Sequence, residues 1–356
     1  MASDTLRDGD DLIAAGLLPT ASRDDIDAVA ARYAVAVTPD IAALIDRDDP
    51  DDPVARQYLP HPAELRDMPE ERADPIGDRR WSPVKGIVHR YADRVLLTPL
   101  HACAVYCRFC FRRETVGPGQ AVLKPSEIAA ALDYIRANSV IWEVILTGGD
   151  PLLLAPRRLA ALIGALSDIE HVAVIRIHSR IPMAEPGRIS PALLAALATD
   201  KALWLAVHAN HANEFGAPQR AALARLARAG IPLVGQTVLL KGVNDSAAAL
   251  EALFRTMVAN RVKPYYLHHP DLARGTSHFR VDIAAGQELT ARLRGPVSGL
   301  CQPTYVLDIP GGHGKVPLTP RYAIPAGQAG RWSVRDPSGR SHDYPPAAEP
   351  DSVPGA

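Results

Sequence analysis

Three of the four cysteines fall within eight residues, as Cys103, Cys107 and Cys110 of CAVYCRFC, and only Cys301 lies elsewhere. This C-x3-C-x2-C spacing puts three thiols on one short loop. Three thiolates can hold three irons of a [4Fe–4S] cube and leave the fourth iron open to an incoming molecule. Zinc is the competing use, but a zinc site asks for four ligands and would have to recruit His101 or Cys301, since no second cysteine pair exists. The plainest alternative is three unligated core cysteines. Tyr106, Arg108, Phe109, Phe111, Arg112 and Arg113 crowd the same stretch, an aromatic and basic cover suited to an anionic, oxygen-sensitive cluster. The iron–sulfur reading is preferred.

A second chemical signal is LDIPGGHGKVPL, residues 307–318, which sets Lys315 in a glycine-rich loop. The chain has six lysines, Lys85, Lys124, Lys201, Lys241, Lys263 and Lys315, so candidates for primary-amine chemistry are few. A tight turn is the structural explanation, and a phosphate-binding P-loop is the rival functional one. The P-loop fails because Ile309 stands where its first glycine is required and Val316 where Ser or Thr would bind magnesium. What remains for such a lysine is a Schiff base with a carbonyl cofactor, pyridoxal phosphate.

These residues need elements to hold them. Apolar β-type runs alternate with amphipathic helical ones from residue 94 to residue 269: strands at 94–100, 140–147, 172–179, 202–209, 231–240 and 263–269, helices at 127–138, 156–166, 191–198, 219–230 and 247–260. About six βα units imply a parallel sheet, barrel-like or doubly wound, and a partial barrel is preferred. In a barrel the chemistry sits on loops after the strands, where HACAVYCRFC, TGGDP, HSR, HANH, LKGVND and HHPD all fall.

Composition bounds the partners. The chain of 356 residues is 47% hydrophobic, and its 39 Lys and Arg nearly cancel 40 Asp and Glu. No basic excess draws it to nucleic acid or to an anionic membrane, so a small molecule is the expected partner. The acidic start, MASDTLRDGDDLIAAGLLPTA, fits neither a secretory signal nor a transit peptide, and a cytoplasmic location is expected.

The ordered blocks GIVHRYADRVLL, CAVYCRFCFRR, ILTGGDPLL, HANHANE, GQTVLLKGVND, PYYLHHPDLARGTSHFR and VLDIPGGHGK, spread from about Asp51 to Pro320, resemble the lysine 2,3-aminomutases of the radical S-adenosylmethionine superfamily. The resemblance implies a partial (β/α)6 TIM-like barrel of the radical SAM type. It would comprise an N-terminal helical region at 1–90, the barrel at 91–300, a C-terminal segment with the lysine loop and short strands at 301–343, and a disordered Pro/Ala/Glu-rich tail at 344–356. Cys103, Cys107 and Cys110 would hold the [4Fe–4S] cluster, whose open iron chelates S-adenosylmethionine and reduces it to a deoxyadenosyl radical. Gly148, Gly149 and Asp150 would meet the amino group of that cofactor, the glycines allowing close backbone approach. Lys315 would bind pyridoxal phosphate and Arg90 its phosphate, with Ser179, Arg180, His208 and Gln236 at further cofactor positions.

For the substrate, the resemblance assigns Arg112 to the α-carboxylate and Asp271 and Asp308 to a distal ammonium. Taken singly, Arg90 reads as an ion-pair residue and the two aspartates as caps or turns. The implied reaction converts L-lysine to β-lysine; arginine is the nearest rival substrate, and β-lysine supply for elongation factor P modification is a rival role. A flavodoxin or ferredoxin would donate the electron to a homo-oligomer. Ser246 follows GVND and no cysteine lies beyond Cys301, so the zinc site that links subunits in some relatives is not expected. Cys301 is expected to pack as a small hydrophobe, and His211, His268 and His269 receive no role.

Overall fold

Runs of Val, Ile and Leu become strands here because their branched side chains fill a sheet covered by helices. The computed structural model describes residues 4–117, 122–327 and 330–346. Nine strands form one sheet in sequence order: β1 (Ile87–Tyr91), β2 (Arg94–Leu100), β3 (Glu143–Gly148), β4 (Val174–Ser179), β5 (Ala202–His208), β6 (Leu233–Val238), β7 (Val262–His268), β8 (Thr304–Asp308) and β9 (Lys315–Pro317). β2 through β8 are parallel, and β1 and β9 add antiparallel edges. The sheet curls into an open half-barrel.

Helices Pro125–Ala137, Pro156–Ser167, Pro191–Ala196, Ala217–Arg228, Ala247–Ala259 and Ile283–Arg292 make the six crossovers. Sequence starts them sharply. Proline opens three of them, where its fixed φ suits the first turn, and the Ser190, Ser246 and Asp282 side chains accept backbone N–H bonds as N-caps. Helix Pro156–Ser167 buries Leu159, Leu162, Ile163 and Leu166 as one stripe against the sheet. Each such side chain contributes about 2 kcal/mol of burial free energy. Cys301 lies in this same core, as expected.

The N-terminal region is helical in short pieces, including Gly9–Ala14 and Arg23–Arg32. Its apolar residues Val35, Val37, Ile41, Val54 and Tyr58 pack with Val105 and Cys107 of the cysteine loop. The expected division at residue 90 falls inside β1, so the last part of that region belongs to the sheet. Lys315 is not in an open loop either: it begins β9 and pairs with Asp308 of β8. A separate three-stranded sheet, β10 (Ala323–Pro325), β11 (Trp332–Arg335) and β12 (Ser341–Tyr344), contains Tyr344, where the tail was expected to begin. Residues 347–356 of that tail lie outside the described residues. Among the described residues no helix is long and apolar enough to cross a membrane.

Candidate active site

The parallel strands aim their C-terminal ends at one cavity of about 780 Å³, and the three clustered cysteines, Asp271, Asp308 and Lys315 all line it. Cys103, Cys107 and Cys110 follow β2 and are free thiols. Burial pushes all three up, Cys107 to about 11, so binding a cation is what would ionise them. Their loop is anchored from outside the barrel. The Arg108 backbone N–H donates to Gln57 O at 2.8 Å, and its buried guanidinium pairs with Glu64 at 2.6 Å and bonds Ala34 O at 2.8 Å. Arg113 pairs with the same carboxylate.

The TGGDP turn packs against the start of the cysteine loop. Gly148 has φ +103°, and an ideal Cβ on Gly149 would lie 2.2 Å from Ala102 O. The glycines therefore admit the backbone entering the cysteine loop, and both also line the cavity. Asp150 lines the same cavity and braces its wall. Its carboxylate accepts from Ser179 Oγ (2.8 Å) and from the backbone N–H groups of Leu152 (3.1 Å), Arg180 (2.7 Å) and Ile181 (3.2 Å), tying the end of β3 to the end of β4. The Arg180 guanidinium pairs with Glu214 at 3.0 Å and donates to Tyr58 and Gln57. Ser179 and Asp150 thus brace the wall, and Arg180 ties it to the N-terminal region while flanking Phe109.

Further round, β4, β5 and β6 present His178, His208 and Gln236 to the cavity. Burial first, then nearby cations, lowers both imidazoles, His208 to about 3, so both are neutral at physiological pH. His178 Nε2, His208 Nε2 and Gln236 Oε1 are buried without a hydrogen-bond partner. Such atoms are what a polar ligand would satisfy.

The last strands bring the charges together. The Lys315 ammonium pairs with Asp308, its Nζ lies 3.4 Å from His268 Nδ1, and its backbone N–H donates to Tyr91 Oη at 2.8 Å. Burial opposes ionisation of Asp308, but His268 and Lys315 hold its carboxyl well below the usual range. Asp271, just beyond β7, is pushed up to about 7 by burial and by the Asp308 charge. Arg90 lies near the end of β1. Its Nη2 donates to Asp78 Oδ1 at 2.9 Å, while Arg112 Nη2 and Nε reach Asp78 Oδ2 at 2.8 and 3.1 Å.

Asp78, His178 and His268 carry no role in the expectations. Asp78 had no motif to announce it. His268 could have been found from strand alternation, which puts it on the same face as Tyr266, whose ring is 5.4 Å from Lys315 Nζ.

Residues 97–253 match the family model described as the radical SAM superfamily, and residues 290–350 the one described as lysine-2,3-aminomutase. The chain is 43% identical over 290 residues to an L-lysine 2,3-aminomutase of Acetoanaerobium sticklandii, covering 82% of this chain and 70% of that protein. It is 42% identical to one of Clostridium subterminale, with the same coverages. A glutamate 2,3-aminomutase of Clostridioides difficile is 34% identical over 325 residues, 91% of this chain and 77% of that protein. The family's cofactors are a [4Fe–4S] cluster, S-adenosylmethionine and pyridoxal phosphate. The donor set fits them: three free thiols at C-x3-C-x2-C, a lysine amine, and unpartnered polar atoms share one cavity. On this identity, across most of its length, the chain belongs to the lysine 2,3-aminomutase family of radical S-adenosylmethionine enzymes.

Proposed function

We propose that this chain converts L-lysine to β-lysine. The observation that carries the reading is a cavity with opposite charges on different elements: Arg112 on the cysteine loop, Asp271 and Asp308 after β7 and at the end of β8. An amino acid with a cationic end, bound away from water, needs negative charge opposite that end. Asp308 already accepts an alkylammonium, that of Lys315. Glutamate would bring a like charge to this pair, which disfavours it despite the 34% identical relative. Arginine remains the nearest rival substrate.

Shifting an amino group between adjacent carbons has no easy ionic path, because the hydrogen on the receiving carbon is not acidic. When bound, the cluster and S-adenosylmethionine supply one-electron hydrogen abstraction, and pyridoxal phosphate supplies a carbonyl for the migrating amine. The chain's own residues bind and orient. Cys103, Cys107 and Cys110 would hold the cluster, and Lys315 and Arg90 the pyridoxal cofactor. His208 and Gln236, neutral and cavity-lining, would offer it polar contacts. Gly148, Gly149, Asp150, Ser179 and Arg180, which line the cavity beside the cysteine loop, would bound the space for S-adenosylmethionine. Arg112 would hold the α-carboxylate with its planar fork. Asp271 would give up its proton as the distal ammonium arrives beside it. An external one-electron donor of flavodoxin or ferredoxin type, a homo-oligomeric assembly without zinc and a cytoplasmic location complete the reading.

The test is anaerobic purification, reconstitution with all three cofactors and a reductant, and assay with L-lysine. β-Lysine is expected. A protein with intact cluster and pyridoxal absorbance that forms none contradicts the reading. Lys315→Ala should lower turnover by at least about a thousandfold while keeping the cluster absorbance, since nucleophile and cofactor anchor are lost together.

A further inference from the structure

Arg90 and Arg112, assigned above to two different anions, are held by one carboxylate. Asp78 gives Oδ1 to Arg90 and Oδ2 to Arg112, and all three side chains are mostly buried. We propose that Asp78 is a positioning residue that sets both arginines at once, and so fixes the separation of the cofactor-phosphate subsite from the substrate-carboxylate subsite. The proposal rests on the aminomutase reading and goes beyond it by naming what couples its two anion sites.

The geometry of the forks supports this. On Arg112, Asp78 takes the Nε and Nη2 edge, so Nη1 is left for a second anion, and the guanidinium lies over the Phe111 ring at 4.4 Å. On Arg90 it takes Nη2; Nη1 is 3.7 Å from Asp308, and Nε is buried without a partner. Each guanidinium is thus pinned at one edge and open at another.

Asp78 is itself fixed. The Asp74 carboxylate accepts the backbone N–H groups of Asp78 at 2.9 Å and Arg79 at 3.0 Å. Gly77 has φ +68°, and an ideal Cβ there would lie 2.6 Å from the carbonyl carbon of Gly311. The turn bearing Asp78 therefore docks on the glycine loop that leads to Lys315, with Gly311 N–H donating to Pro75 O at 3.1 Å. A shift of that loop would move the carboxylate and, with it, both arginines.

Electrostatics alone and positioning predict opposite signs. Two guanidiniums and one carboxylate leave one net positive charge; removing the carboxylate raises it to two, which by charge alone should tighten anion binding. Loss of orientation should weaken it. The experiment uses the full chain with its cluster reconstituted, as wild type, Asp78→Asn and Asp78→Glu. Pyridoxal phosphate affinity is read by absorbance titration of the cofactor-stripped protein, and KM and kcat for L-lysine by β-lysine formation.

Asp78→Asn is expected to weaken pyridoxal phosphate binding and to raise the KM for lysine, each roughly tenfold, with kcat at saturation changed less than about threefold and iron content unchanged. Asp78→Glu, which keeps the charge, should recover part of both losses, and it carries the test if the Asn variant does not fold. Tighter or unchanged binding, or a change in only one constant, overturns the proposal. A wild-type protein that neither binds pyridoxal phosphate nor isomerises lysine overturns the aminomutase reading, and this inference with it.

Discussion

Asp271 is where burial and function pull in opposite directions. An aspartate normally ionises near pH 3.9, but burial and the Asp308 charge push Asp271 up to about 7. A raised acid favours the folded state at low pH and loses that contribution as pH climbs from about 4 to about 7. Ammonium binding needs the ionised form. The KM for lysine should therefore fall as pH rises from 6 to 8, and Asp271→Asn should show a higher KM that is flat across this window in steady-state assays. A wild-type KM independent of pH would contradict the assignment. At this scale the sequence spoke clearly where a spacing is chemically special: the three cysteines, and the lysine among glycines. It was silent on Asp78, whose part depends on two arginines 12 and 34 positions away in the chain meeting at one carboxylate.

The cysteine loop is an element held by its neighbours more than by itself. Glu64, fully buried, is the shared partner of Arg108 and Arg113. Glu64→Ala would strand two buried guanidiniums, so it should lower unfolding free energy by about 3 kcal/mol or more, and iron retained after gel filtration should drop. Gly149→Ala would drive a methyl into Ala102, and should reduce iron retention with little change in pyridoxal binding. Parallel strands β2 to β7 and the first five crossover helices were legible as alternating periods of 2 and 3.6, whereas β8 and helix Ile283–Arg292 were not read as part of that alternation. Edges were not: β1 and β9 are short and antiparallel, and their pairing to β2 and β8 is set by tertiary contact. That is why Lys315 read as a loop residue although it pairs with Asp308 across a hairpin.

At the scale of the whole molecule, the open half-barrel sets the three-cysteine loop and the charged residues Arg112, Asp271, Asp308 and Lys315 around one cavity, while the N-terminal region clamps the loop from behind. Cys107→Ala should remove the cluster absorbance and all turnover, yet the six crossovers should keep the far-ultraviolet circular dichroism of wild type. The central claim is substrate choice by the Asp271 and Asp308 pair. The most direct measurement offers the reconstituted, reduced holoenzyme L-lysine, L-arginine and L-glutamate in parallel and quantifies β-amino isomers by chromatography. β-Lysine in clear excess, abolished in Lys315→Ala, is the predicted result; a β-isomer formed only from glutamate, or none from lysine by fully loaded enzyme, would contradict the account.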